Sequence, residues 1–214
     1  MSEAPVGAAA PSRRARGRGS DSAATRQLII DVAAREFSER GYAATSLSDI
    51  VAGTGMTKGA LYWHFASKES VAVAVVRQMF DTWPALLGGV LSAHDDALDA
   101  LVAVTYVAGE QFAQDPVTRA SKRLMSELPA TAMAQLPQPY VGWQQALTKL
   151  IADGQERGQI NAAVDAASVA QVIVGSFFGM QQVSQELSAR RDLPGRLDGF
   201  WALVLPQLRP APPA

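Results

Sequence analysis

An all-α protein is predicted, built as a small N-terminal three-helix unit followed by a larger helical body. Three observations carry this. Apolar residues recur at helical spacing along most of the 214 residues. Capping residues, glycines and prolines fall where such helices should start and stop. No convincing strand finds another to pair with, so no sheet is expected.

Residues 1–22, rich in Ala, Pro, Gly, Ser and Arg, read as a disordered basic arm. Its RRARGRG run suits either a solubilising tail or an arm that touches phosphates or enters a minor groove. Residues 23–70 form the next unit. From Thr25, Leu28, Ile29, Val32, Ala33 and Phe37 trace one helix face that ends at Gly41. Ser46 with Asp49 three residues on is a capping-box-like start, after which Leu47, Ile50 and Val51 mark an apolar face. Gly53-Thr54-Gly55 breaks that helix, because glycine supplies the left-handed backbone of a tight turn. Thr57 can cap a further helix in which Leu61 and Phe65 point inward. Lys58, Tyr62, Trp63 and His64 are then left outside. A compact helical hairpin is the plainer reading. Four consecutive residues from Tyr62 to Phe65, however, point in directions about 100° apart and cannot all be buried by so short a segment. A short helix crowded with cationic, aromatic and hydroxyl groups suits a nucleic-acid groove, so the pattern is a candidate helix-turn-helix.

The body is expected over residues 71–210. The run ESVAVAVVRQMFDTW has nearly continuous β-branched residues and could be a strand; its length and context favour a linking helix, stopped by Pro84. Gly88-Gly89 and the polar run 92–96 should form a loop. Helices are expected from about Ala97 to Gln114 and Val117 to Leu128, separated by Asp115-Pro116. The stretch LPATAMAQLPQPY should be broken, near the mouth of a cavity. Further helices are expected from Tyr140 to Arg157, closed by Gly158, from Ala166 to about Leu187 after Asp165, and from Pro194 to about Leu208.

Composition narrows the function. Cysteine is absent, which excludes disulfides and thiolate metal sites and is compatible with a reducing cytoplasm, the expected location. Two histidines, His64 and His94, are too few and too far apart for a metal cluster, and no metal or cofactor is expected. No run of about 18 apolar residues exists, so no membrane partner is expected. The opening residues lack the apolar core of a secretory signal. Residues 1–80 carry net charge +3 and the remainder –4, a basic module on an acidic body. No glycine-rich phosphate loop, recognisable Ser–His pair or acid cluster near a histidine argues for an enzyme. A helical adaptor that does not touch DNA is the other alternative.

The stretch over about 25–80 resembles the TetR family of one-component bacterial repressors through Phe37, Gly41, Tyr42, Thr45, Ile50, Ala52, Gly55, Lys58, Gly59, Leu61, Tyr62, His64, Phe65, Lys68 and Glu69. The resemblance implies a homodimer on double-stranded operator DNA, released by a small-molecule effector. The DNA-binding candidates are Thr45, Ser46, Thr57, Lys58, Gly59, Tyr62, Trp63, His64 and Lys68, with Lys58 and Lys68 on phosphates.

In the body, the middle helices should enclose a mostly apolar pocket. Its candidate lining is Met79, Trp83, Tyr106, Gln111, Arg119, Arg123, Met125, Trp143, Leu147, Phe177 and Gln181. The last two helices are too apolar all round for a monomer's surface. Val172, Gly175, Gly179, Val183, Phe200, Trp201 and Val204 are therefore candidates for a dimer seam, the alternative being one subunit's own core. Residues 115–120 (DPVTRA), Trp143 and residues 179–184 (GMQQVS) look like the γ-butyrolactone receptor branch of the same family. That likeness implies a lactone, butenolide or furan effector with Trp143 lying across it. Met79 and Phe177 depart from relatives that place polar side chains there, so an unrelated effector such as an antibiotic or drug is the alternative.

Overall fold

The computed structural model describes residues 13–138 and 140–210, with side chains from residue 21 onward. Among them are ten helices and no strand: α1 (Arg13–Ala44), α2 (Leu47–Thr54), α3 (Lys58–His64), α4 (Lys68–Ser92), α5 (Ala97–Gln114), α6 (Pro116–Glu127), α7 (Ala130–Met133), α8 (Val141–Glu156), α9 (Ala166–Ser188) and α10 (Leu193–Leu208).

Most boundaries follow local chemistry. The Ser46 hydroxyl accepts from the Asp49 N–H at 3.1 Å, and the Asp49 carboxylate accepts from the Ser46 N–H at 2.8 Å, completing the expected capping box. Gly55 takes the left-handed cap (φ 67°) that only glycine adopts without strain. Thr57, Asp96, Asp115 and Asp165 cap α3, α5, α6 and α9 through their side chains.

Two expectations are corrected. First, α1 begins at Arg13, inside the segment expected to be unstructured; residues 1–12 of the arm lie outside the described residues. Alanine and arginine are good helix formers, and extending an already packed helix avoids a new nucleation. Gly41 (φ 82°, ψ 174°) still breaks the element where the sequence placed its end. Second, α4 does not stop at Pro84 but runs on through Gly88-Gly89 to Ser92. Proline removes the N–H that would reach the Phe80 carbonyl, a loss of about 3 kcal/mol in a helix interior. Beyond it, Val90 is buried while Leu87 and Leu91 pack against the same apolar cluster, so tertiary burial outweighs the local penalty.

Two hydrophobic cores organise the chain. In the first, Ile29, Ala33 and Phe37 of α1 meet Ile50, Leu61 and Phe65, and the core continues into Val71–Val76 of α4 and Ala120 and Leu124 of α6. Every residue from Val71 to Val76 is buried, which explains why this helix reads as a continuous apolar run. The second core joins Leu101 and Phe112 of α5 to Leu147 and Ile151 of α8, Ile173 and Phe177 of α9, and Leu197 and Trp201 of α10. Trp83 packs against both. No helix among the described residues is long and apolar enough to cross a membrane.

Candidate DNA-reading surface and effector cavity

The helix-turn-helix places its reading side chains by burying their neighbours. Leu61 of α3 and Phe65 at its C-terminal cap are 0% and 5% exposed, and this pins the helix on Ile50 and α1. The opposite face is then forced outward: Trp63 is 74% exposed and Tyr62 46%. The Trp63 indole meets the His64 ring edge-on at 4.6 Å, and the Lys58 ammonium lies 5.9 Å from the Tyr62 ring centre. Thr57, Lys58 and Gly59 are exposed at the start of the same helix. The result is a contiguous surface of one cation, three aromatic rings and a hydroxyl on a rigid base.

Three of the residues assigned to DNA have other duties. Thr45 is 1% exposed, and its hydroxyl donates to the Glu36 carbonyl at 3.3 Å, so its side chain is closed to a ligand. Ser46 stays exposed, but its hydroxyl is spent in the capping box. The Lys68 ammonium donates to the Tyr42 carbonyl at 2.7 Å and sits 4.2 Å from the Tyr42 ring centre. It is a strut from α4 to the end of α1 rather than a free cation. Hydrogen bonds from Ser46, aided by Arg40, hold the Asp49 carboxyl below its ordinary range, so the cap is ionised at neutral pH.

The cavity lies where the two cores meet. It encloses about 280 Å³ and is lined by Met79, Phe80, Trp83, Pro84 and Leu87 of α4, Phe112 of α5, Met125 of α6, Tyr140, Gly142, Trp143 and Ala146 at the start of α8, and Phe178 of α9. Trp83 and Trp143 meet edge-to-face at 4.6 Å, as do Tyr140 and Phe178. Four sequence candidates, Met79, Trp83, Met125 and Trp143, line it. Phe80, Pro84, Leu87, Phe112, Tyr140, Gly142, Ala146 and Phe178 were missed. Pro84 and Leu87 lie at and beyond the proline that locally signals the end of α4, and Phe177 and Phe178 are adjacent aromatics that sequence alone does not tell apart.

Gln111 does not line the cavity, and the remaining candidates sit elsewhere for definite reasons. Leu147 and Phe177 are core residues, 2% and 4% exposed. The Tyr106 hydroxyl donates to Asp198 of α10, and burial followed by that carboxylate pushes it up to about 12. Arg119 donates to the Ala113 carbonyl at 2.7 Å. Gln181 is fully buried, its amide oxygen accepting from Arg190 Nε and Nη2 at 2.8 Å.

Arg123 has the most consequential relocation. Its guanidinium donates to the carbonyls of Glu39 (3.2 Å) and Arg40 (3.3 Å) and pairs through Nε with Glu127 at 2.7 Å. Glu127 in turn accepts from the Tyr42 N–H. A cation thus satisfies carbonyls that α1 leaves open at its break, where the helix dipole is negative. Any side chain at Gly41 would collide with this guanidinium. Two residues along α6, Met125 lines the cavity.

The dimer candidates divide. Val172 (55% exposed), Gly175, Gly179 and Val183 form an exposed stripe on α9, continued by Leu187, while Leu203 projects from α10 at 78%. Phe200 and Val204 are half-buried. Trp201 is corrected to the chain's own core: it is 3% exposed and its indole N–H donates to Thr105 at 2.9 Å.

Comparison with known proteins agrees with this architecture. Residues 29–75 match the description "Bacterial regulatory proteins, tetR family", and residues 95–210 match "Tetracyclin repressor-like, C-terminal domain". The A-factor receptor protein of Streptomyces griseus is 34% identical over 188 residues, 86% of this chain; the chain spans 63% of that receptor's length. A solved structure described as the molecular basis for control of antibiotic production by bacterial hormones is 40% identical, with TM-score 0.80 over 87% of this chain and 98% of that one. A γ-butyrolactone receptor, an ArpA-like protein, is 31% identical with TM-score 0.70 over 89% and 90%. The chain belongs to the TetR family of bacterial regulatory proteins and is homologous to γ-butyrolactone receptors.

Proposed function

We propose that the protein is a homodimeric transcriptional repressor that holds a palindromic operator and leaves it when a small apolar signalling molecule enters the cavity. A γ-butyrolactone-like, butenolide or furan compound is the effector class favoured by the homology and by the aromatic lining. The observation that carries the reading is the outward face of α3, where Tyr62 and Trp63 are exposed over a fully buried base.

Lys58 supplies the phosphate contact, and Thr57, Tyr62 and His64 the hydrogen bonds to backbone or base edges. Trp63 packs on sugar or a thymine methyl. The N–H groups at the start of α2 and α3 orient phosphates. A second copy joins through the stripe of Val172, Gly175, Gly179 and Val183, whose small residues allow close helix approach, with Leu187 and Leu203 beside it. Four helices would then form the seam. Two heads so joined must match successive major grooves about 34–36 Å apart.

The effector acts on that spacing. Its cavity is walled by α4 around Pro84, where the helix lacks a backbone bond, and by α6, whose Arg123 grips the end of α1. A ligand that moves either wall shifts the head. Emptying a nearly full operator requires a preference for the released form of roughly 5 kcal/mol.

The test is selection of duplex DNA from a random library by the full-length protein, followed by titration at several salt concentrations. An enriched palindrome, affinity falling steeply with salt, and at least a roughly tenfold loss for Trp63→Ala with the dimer retained are expected. No enriched sequence, or binding indifferent to salt, would return the protein to the helical-adaptor class.

A further inference from the structure

Away from the reading surface and the cavity, three half-buried cations converge between α6 and the turn that follows α9. Arg119 and Lys122 stand one turn apart on α6 and share a face. Lys122 donates to the Gln182 side chain at 3.1 Å, which sets that face against α9. Arg190 folds back from beyond the end of α9, and its Nε and Nη2 meet the Gln181 amide oxygen at 2.8 Å. Gln181 is itself fully buried.

This charge lacks an offset. The acceptors that hold the three side chains are neutral: the Ala113 carbonyl for Arg119, Gln182 for Lys122 and Gln181 for Arg190. Among the described residues, none of the three stands in an ion pair. Nearby carboxylates face other groups: Asp115 caps α6, Glu186 takes the Gln182 amide, and Asp192 pairs with Arg196. Burial and then Arg190 hold the Lys122 ammonium below its ordinary value, and burial and then Arg119 do the same to the Arg190 guanidinium. Each cation feels its neighbours more than any acid.

Helix ends account for only part of the arrangement. The carbonyl end of α9 favours a cation beside it, but it carries only about half an elementary charge. Arg119 lies near the start of α6, where the dipole has the opposite sign and adds to the repulsion. Arg190 is also placed at a conformational cost. It and Ala189 both take left-handed backbones (φ 67° and 51°), although neither is glycine.

We propose that the face between α6 and the end of α9 binds a phosphate-type dianion, as free phosphate or as the phosphoryl group of a small metabolite, with Arg119, Lys122 and Arg190 as its ligands. Two guanidinium forks and an ammonium supply charge-assisted bonds to tetrahedral oxygens. A bound dianion ties α6 to the end of α9. The site is separate from the apolar cavity and stands whether or not the effector reading holds.

Calorimetric titration of the full-length protein with sodium phosphate at pH 7.5, with ionic strength held constant by sodium chloride, tests the site. Saturable binding is expected. Lys122→Gln should weaken it at least about tenfold, and Lys122→Arg should restore it to within about threefold. Lys149→Gln, which removes an exposed cation of α8 paired with Asp153, should leave it unchanged. In chloride alone, Lys122→Gln should melt no lower than the parent protein, because it removes a repelled charge. In saturating phosphate the order should reverse, since only the parent gains from the ligand. That reversal separates lost binding from a damaged fold, and Arg119→Gln should repeat it. Glycerol 3-phosphate identifies the source: tighter binding than phosphate points to a phosphorylated metabolite, weaker binding to free phosphate. No saturable heat with either compound, or equal losses in Lys122→Gln and Lys149→Gln, overturns the site. Absent phosphate binding together with a dimer loosened by Lys122→Gln also overturns it, and assigns the cluster to a carboxylate of the second copy.

Discussion

The head and the cavity are assembled by opposite means. Each helix of the head is specified within a few residues: Ser46 and Asp49 cap α2, Gly55 ends it, Thr57 caps α3, and Leu61 with Phe65 fixes which side faces out. The cavity draws on α4, α5, α6, α8 and α9, and no short segment contains its pattern. A surface made by local rules is rigid and tolerates little change behind it. A void between two cores has slack on one side, which is what a binding site needs.

The sharpest way to break this contrast is to remove equivalent bulk from each region. Leu61→Ala, behind the reading face, should lower stability by about 2–5 kcal/mol in chemical denaturation. Met125→Ala, already beside a void and only partly buried, should fall below that range, at less than about 2 kcal/mol. Equal losses would mean that the cavity wall is packed as tightly as the head.

Arg123→Ala probes the joint between the two regions. Loss of its bonds to Glu39, Arg40 and Glu127 should cost about 1–3 kcal/mol. Its distinctive effect should be on coupling: effector affinity is retained, while the effector's influence on operator affinity shrinks. Full retention of coupling, measured by DNA titration with and without effector, would place the communication elsewhere.

Pro84→Ala should move stability the other way. Restoring the bond to the Phe80 carbonyl is expected to add about 1 kcal/mol and to stiffen the cavity wall, lowering the effector response.

The smallest effect is a response to acid. The Asp49 and Asp192 carboxyls are both held below their ordinary value of 3.8, the first chiefly by Ser46 and the second chiefly by Arg196 with Ser184 and Ser188. A carboxyl depressed in the folded state stabilises above its unfolded value, and that gain is lost as pH falls below 3.8 through the folded values. Thermal midpoints should therefore decline below about pH 4, with the step reduced in Asp192→Asn.

Several body helices were as legible as the head. Asp96, Asp115 and Asp165 mark the starts of α5, α6 and α9, and the 97–114 span came out unchanged. The failures cluster where distant burial overrides a local signal. Pro84 and Gly88-Gly89 normally end a helix, yet Val90 carries α4 onward. Trp201 resembles its seam neighbours in sequence, but Thr105, far away in the chain, supplies the partner that draws its indole inward. Arg119, Arg123 and Gln181 resembled pocket polar groups because composition cannot tell which backbone carbonyl or side chain lies across the gap.

By itself the sequence determined the all-helical class and most helix starts, the break at Gly41, the caps around the turn and the outward set of Tyr62, Trp63 and His64. These depend on backbone chemistry and on residues at most four apart. Only the tertiary structure decided that Lys68 and Arg123 brace the end of α1, that Trp201 belongs to the core, and which residues face the cavity. Those outcomes are set by partners remote in sequence, and periodicity shows that a face is buried without showing what it meets.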